Sequence, residues 1–397
     1  MDIFSVGAAE NILAFANQKS YQLESLANSA LQSGIDSYMD EDFEGAAKEF
    51  KRAIGLAPDS PYSVDAAHYM AQAHLNLDDP KKAIEAYQES IRLDSYRDDS
   101  HNKLGNLYFS LDRHEDATTE YEAAARLNPD ATNIYTLGQA YLNVERFSDA
   151  ETQFSKVAQM ERQDPAGKFG LGITFSRQNR NEEAIAMFEE AIALKDDFYD
   201  AYAEMGYTYA DMGDMDQAQE LVDFLEIQDQ AVLADNLSRY MYKVDPPKIV
   251  YAQSASTFPF LMGSNTPISA LDTYLESANA TKTFTMRFQF DKAMDRESVE
   301  NVANWQIDRA VGNGPGQAYN FGMSIPSTDI KISSLPKSVY YDSANYSATV
   351  FFEIQQNAAA DGTIDPSHIE FKFSGQDIYG KKMDPNFDQY TGFSKTA

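Results

Sequence analysis

One small position repeats along the first half of the chain at a nearly constant interval. Ala46, Ala83, Ala117, Ala150, Ala184 and Ala218 are spaced by 37, 34, 33, 34 and 34 residues. Twelve residues before each stand Gly34, Ala71, Gly105, Gly138, Gly172 and Gly206. Four residues after each stand Phe50, Tyr87, Tyr121, Phe154, Phe188 and Val222, and seven after stand Ala53, Ser90, Ala124, Val157, Ala191 and Leu225. Small residues on facing helices let two backbones approach closely, and a large aromatic fills the gap beside them. The pattern predicts two antiparallel helices per unit, joined by a short turn. A single unit cannot bury its own apolar face, so the units must stack into a solenoid.

These residues resemble the tetratricopeptide repeat, over roughly residues 27–232 and as six repeats. Leu104-Gly105-Asn106-Leu107-Tyr108, with Ala117, Tyr121, Ala124 and Pro129, lies close to the family pattern. The helix-ending proline stands only at Pro58 and Pro129, and Val222 and Leu225 replace the aromatic and small residues of the last unit. Terminal repeats often depart in this way because they cap the stack. The resemblance implies a concave groove lined by the first helix of each repeat. Those positions hold Tyr38, Gln72, Asn76, Asn106, Phe109, Tyr135, Gln139, Asn143, Phe169, Ser176, Arg177 and Tyr207. Amide side chains both donate and accept hydrogen bonds, and aromatic rings offer flat apolar contact, so the groove suits an extended segment or a helix of a protein partner. It lacks the lysines with which some members clamp terminal carboxylates, and Arg177 is its one basic residue.

Two flanking segments frame the repeats. Residues 1–26 form an N-terminal extension, read as one helix over 2–16 and a second that runs from Gln18 to Met39 into the first repeat. Ile3, Phe4, Val6, Ile12, Leu13 and Phe15 give the extension an apolar face. That face either caps the first repeat or joins another copy of the protein, since an isolated apolar helix is unstable in water. At the other end, Ala231 to Tyr242 has helical spacing and resembles the helix that covers the last repeat in this family. Asp245-Pro246-Pro247 then ends the helix. The domains expected are 1–26, the solenoid 27–244 and a second domain 245–397.

After Pro247 the periodicity changes from helical to alternating. Lys248 to Tyr251, Thr283 to Phe290, Ala348 to Ile354 and His368 to Phe373 are β-rich, and several alternate apolar with polar. An antiparallel β-sandwich is expected. Phe288 to Asp295, followed by Val299, Val302, Asn304 and Trp305, is similar to the strand and turn of bacterial Ig-like domains of surface-layer and cell-surface proteins. Asp377 to Asp384 resembles the final turn of that family. Residues 256–280 read as an insertion with a short helix around Ile268 to Leu275.

Charge and composition then narrow the function. The net charge of −30 excludes a nucleic-acid or anionic-membrane surface, both of which need a basic face. With no cysteine there is no thiolate nucleophile, disulfide or Cys-based metal site. His68, His74, His101, His114 and His368 show no metal-ligand spacing. Gly312-Asn313-Gly314-Pro315-Gly316 runs on into Ala318-Tyr319-Asn320-Phe321, where no helix is expected, so it reads as a β loop rather than a phosphate cradle. Asp291, Asp295, Asp377 and Asp384 lie in the two Ig-like turns. They either gather around Ca²⁺ or serve as turn and cap residues; no other cofactor is expected. No apolar run is long enough to cross a membrane. Met1-Asp2-Ile3-Phe4 lacks a basic start and Glu10-Asn11 interrupts the apolar stretch, so no cleaved leader is read. The expectation is a non-enzymatic interaction protein. It is a self-associating structural subunit outside the cell or on its surface, or alternatively a cytoplasmic adaptor whose groove binds a partner peptide.

Overall fold

The computed structural model describes residues 4–253, 255–312 and 316–392, and for residues 4–18 the backbone alone. The chain divides into two compact units, residues 1–237 and 238–397.

The first unit is helical throughout. Its elements are α1 (Phe4–Met39), α2 (Phe43–Leu56), α3 (Ser63–Asn76), α4 (Pro80–Leu93), α5 (Asp98–Ser110), α6 (His114–Leu127), α7 (Ala131–Asn143) and α8 (Phe147–Met160). There follow α9 (Ala166–Arg177), α10 (Asn181–Leu194), α11 (Tyr199–Met212), α12 (Met215–Ile227) and the start of α13 (Ala231–Val244). The two N-terminal helices expected from the sequence are one continuous helix, α1, because Ala16-Asn17-Gln18 contains neither proline nor glycine to stop it. The side chains of Ile3, Phe4, Val6, Ile12, Leu13 and Phe15 lie outside the described residues.

The repeating alanines lie in the core of the stack. Ala46, Ala83, Ala117, Ala150, Ala184 and Ala218 are all fully buried. The aromatic four residues on packs against the glycine of the partner helix. A methyl group placed on Gly138 would lie 2.8 Å from the Phe154 ring, and one on Gly172 would lie 2.5 Å from Phe188. Each fully buried phenylalanine contributes about 2–3 kcal/mol of transfer free energy. The turn between the two helices of a unit also repeats. Glu41, Asp78, Asp112, Glu145, Asn179 and Gly213, each five residues before its alanine, all have positive φ. The aspartates that follow some of these turns serve as caps: Asp42 accepts from the Gly45 amide at 3.0 Å and Asp214 from the Gln217 amide at 3.2 Å. The acidic turns at 40–42 and 211–214 therefore act as helix punctuation.

The second unit holds the end of α13, β1 (Ile249–Ala252), β2 (Thr266–Pro267), β3 (Thr281–Phe290), α14 (Arg296–Glu300) and β4 (Trp305–Arg309). It continues with β5 (Ser338–Asp342), β6 (Ser347–Gln355), β7 (Thr363–Ile364), β8 (Ile369–Phe373) and β9 (Gln389–Tyr390). The strands form an antiparallel sheet of order β1-β3-β6-β5, another of order β4-β8-β9, and the pair β2-β7. The β3–β6 register sets Phe284 opposite Phe352, Met286 opposite Val350 and Phe288 opposite Ala348, all buried. These side chains meet the second sheet ring to ring. Phe288 lies 5.6 Å from Trp305 and 5.4 Å from Phe371, and Phe290 lies 5.5 Å from Phe373. Two antiparallel sheets thus share one aromatic core.

Residues 256–280 hold β2 and two 3-10 turns in place of the short helix expected. Asp272 is extended between the turns and accepts from the Tyr274 amide, which restarts the chain and prevents one helix. The outer edge of β5 is occupied in part, because the Tyr341 amide donates to Glu300 Oε1 of α14 at 3.1 Å.

Candidate protein-binding groove

The first helices of the central repeats bring polar and aromatic side chains to one recess of 680 Å³. Asn106 and Phe109 come from α5, Gln139, Leu142 and Asn143 from α7, and Ile173 and Arg177 from α9. Tyr121, Thr136, Ala140, Glu145 and Phe147 complete its wall. The floor is repetitive for a reason set by the sequence. Each helix turns its glycine toward the repeat's aromatic, and the residue after that glycine, about 100° further round the helix, lines the recess: Asn106, Gln139 and Ile173.

Hydrogen bonds orient the amides. Tyr121 Oη donates to Asn106 Oδ1 at 2.7 Å, which leaves the Asn106 amide nitrogen as a donor to a partner. Asn143 Nδ2 donates to the Gln139 carbonyl at 2.9 Å, which leaves Asn143 Oδ1 as an acceptor. Asn76 Nδ2 donates to Tyr38 Oη at 2.9 Å and to the Gln72 carbonyl at 3.1 Å, so its oxygen too is an acceptor. Successive repeats therefore present acceptor, donor, acceptor and the Arg177 cation. A peptide backbone, which alternates N–H and C=O, can meet such a series.

Not every residue expected on the groove lies in this recess. Asn106, Phe109, Gln139, Asn143 and Arg177 converge there, while Tyr38, Gln72 and Asn76 form a group of their own through their hydrogen bonds. Tyr135 stands edge-on to Phe154 at 5.3 Å, and burial pushes its hydroxyl pKa up. Phe169 lies 4.8 Å from Phe198 and 6.0 Å from Phe188, so its ring serves packing between repeats. Tyr207 is half-buried on α11, and burial raises its pKa as well. The sequence reading missed Tyr121, Thr136, Ala140, Leu142, Glu145, Phe147 and Ile173. A signal existed for Ile173, which occupies the same position after glycine as Asn106 and Gln139. A signal also existed for Tyr121, whose hydroxyl distinguishes it from the phenylalanines at its ladder position.

The four aspartates weighed as calcium ligands each hold backbone amides. Asp291 accepts from Lys248, Asp295 from Ser298, Asp377 from Tyr379 and Lys381, and Asp384 from Asn386. They are not gathered into one site, and among the described residues no group of three or more His, Asp or Glu could hold a metal ion. No described helix is long and apolar enough to cross a membrane.

Residues 69–132 and 135–202 match one tetratricopeptide repeat family and residues 176–235 match another. Residues 69–235 are tetratricopeptide repeats, a class that mediates protein–protein interaction. No curated protein matches the chain. Solved structures similar to it include a tetratricopeptide repeat protein from Parabacteroides merdae, at 16% identity over 55% of this chain and 88% of that one, with a TM-score of 0.46. YrrB, described as a TPR protein with an unusual peptide-binding site, is 21% identical over 49% of this chain and 100% of that one, TM-score 0.39. MamA is 20% identical over 43% and 92%, TM-score 0.37.

Proposed function

We propose that the protein is a non-enzymatic interaction module whose groove takes an extended segment of another protein along α3, α5, α7 and α9. The observation that carries this reading is the run of oriented amides from Asn76 through Asn106 to Asn143, set beside Phe109 and ending at Arg177. Peptides selected from a displayed random library should bind the intact protein and lose affinity when Asn106 and Asn143 are both changed to alanine. Binding unaffected by that change would place the partner elsewhere.

A second reading has its own support. The helix α1 has 36 residues, whereas its packing partner α2 has 14, so its N-terminal part extends well past the repeat. Exposed Tyr21 and Leu26 lie on it. We propose that this extension joins copies head to tail, in an assembly outside the cell or on its surface, with the second unit as an Ig-like domain. The face of α1 at Glu24, Ser25, Asn28, Ser29 and Gln32 is polar, with Tyr21 its one aromatic, and suits a cap over that stretch. A joint would therefore use residues before it. Sedimentation of the full chain and of a chain lacking residues 1–16, at equal concentration and moderate salt, separates the two readings. A monomer in both cases retires self-assembly and leaves the adaptor.

A further inference from the structure

The β unit carries a recess of its own of 380 Å³, within the range of about 300–1,000 Å³ found for small-molecule sites. Its walls are Ile307, Ile330, Ile332, Ile364, Ile369 and the Tyr319 ring. The polar groups around its base already have partners. Tyr319 Oη donates to Asp329 Oδ1 at 2.6 Å and accepts from the Asp365 amide at 3.0 Å. Arg309 pairs with Asp329 and donates to the Ile330 carbonyl at 3.2 Å. Asp365 is held in turn by His368 Nδ1 at 2.7 Å and Ser367 Oγ at 2.8 Å, all three buried. Asp308, on the rim, accepts from Gln306. An occupant's body is offered isoleucine walls, and among the described residues the polar side chains at the base are already engaged, so a polar body would lose its hydration with little return.

The mouth differs. Lys331 lines it, is exposed, and has no ion pair among the described residues. Its side chain therefore offers an uncompensated positive charge at the edge of an apolar cavity. We propose that this recess binds an aliphatic carboxylate, with its chain among the isoleucines and its head on Lys331. The carboxylate comes either from a free aliphatic acid or from a peptide ending in an aliphatic residue. The groove reading does not bear on this site, and failure of either leaves the other standing.

Calorimetric titration of the full chain with hexanoate, 1-hexanol, hexylamine and acetyl-Gly-Gly-Ile tests the proposal. Hexanoate or the peptide should bind, 1-hexanol should bind about fivefold more weakly than the better of the two, and hexylamine should not bind. Tighter binding of hexanoate assigns the site to free acids, and tighter binding of the peptide assigns it to chain ends; both uphold it. Lys331→Glu, an exposed change, should weaken the anion about fivefold and leave 1-hexanol unchanged. Ile332→Trp, at a half-buried wall position, should abolish both. Absence of binding by both anions, equal binding of hexylamine, or indifference to Lys331→Glu would overturn it.

Discussion

Leu237 of α13 fills the space above Gly206 of α11: a methyl group on that glycine would lie 2.4 Å from Leu237 Cδ2. In earlier repeats the aromatic of the unit's own second helix occupies this place. Here that position is Val222, too small to reach, and a side chain from the following helix takes over. The last repeat is thus closed by its neighbour in sequence, which explains why its ladder residues depart from the others.

Removing that side chain should cost more than an ordinary surface change. Leu237 is fully buried, and Leu237→Ala is expected to destabilise the helical unit by about 2–4 kcal/mol through lost transfer energy and a cavity. Thermal unfolding followed by circular dichroism checks this. A loss below about 1 kcal/mol would mean that α13 adds little to the last repeat.

The turn conformation makes a separate prediction. Gly213 has φ +80° and open space where a Cβ would be, so any cost of Gly213→Ala is conformational alone. About 1–2 kcal/mol is expected. Glu41→Gly, at φ 63°, should instead be neutral or slightly stabilising. Chemical denaturation of both variants gives the comparison, and equal effects would contradict the left-handed turn.

His68 supplies a pH dependence. It is buried, with Nε2 2.9 Å from Ser100 Oγ, and its pKa is pushed down from 6.5 to about 4, first by burial and then by Lys103, with Asp99 opposing. The unfolded chain therefore binds the proton more readily. Stability is fully present above about pH 6.5, falls as pH drops toward 4, and by pH 5 has lost about 2 kcal/mol from this residue. His68→Gln should remove that part of the slope between pH 7 and pH 5 in thermal melts. An unchanged slope would assign acid sensitivity to other groups.

The solenoid was legible because its contacts recur. A fixed spacing of alanine, glycine and aromatic reports helix packing directly, and helix ends follow from the Asp caps at Asp42, Asp79 and Asp214. A second recurrence escaped notice. Arg113, Arg146 and Arg180, each four residues before its alanine, lie over Tyr108, Tyr141 and Phe175 at 4.3, 4.3 and 4.0 Å. Arg146 and Arg180 also reach back to Glu122 and Glu151 of the preceding repeat. Three of six units carry it, and the other three hold the capping Asp42, Asp79 and Asp214 at the same position. In the β unit, strands β3, β6 and β8 were readable from alternation. The β5 run Ser338-Val339-Tyr340-Tyr341-Asp342 sets two tyrosines side by side, which blurs its alternation, and β2, β7 and β9 hold two residues each, a length over which no period can be recognised. The recess was legible by position but not by contact: Tyr135 and Phe169 share helix faces with Gln139 and Arg177, which line it, and only the neighbouring rings draw them into packing.

Fluorescence anisotropy of a library-selected peptide tests most directly whether the oriented amides of α5 and α7 grip a peptide. Asn106→Ala with Asn143→Ala should weaken binding at least tenfold, since about 1.4 kcal/mol corresponds to a factor of ten and two hydrogen-bonding sites are lost. Both residues are exposed, so the melting temperature should stay within a degree or two, the range typical of surface substitutions. Tyr121→Phe, which frees the Asn106 amide to rotate, should weaken binding by less. Affinity unchanged in the double variant, with the fold intact, would contradict the account.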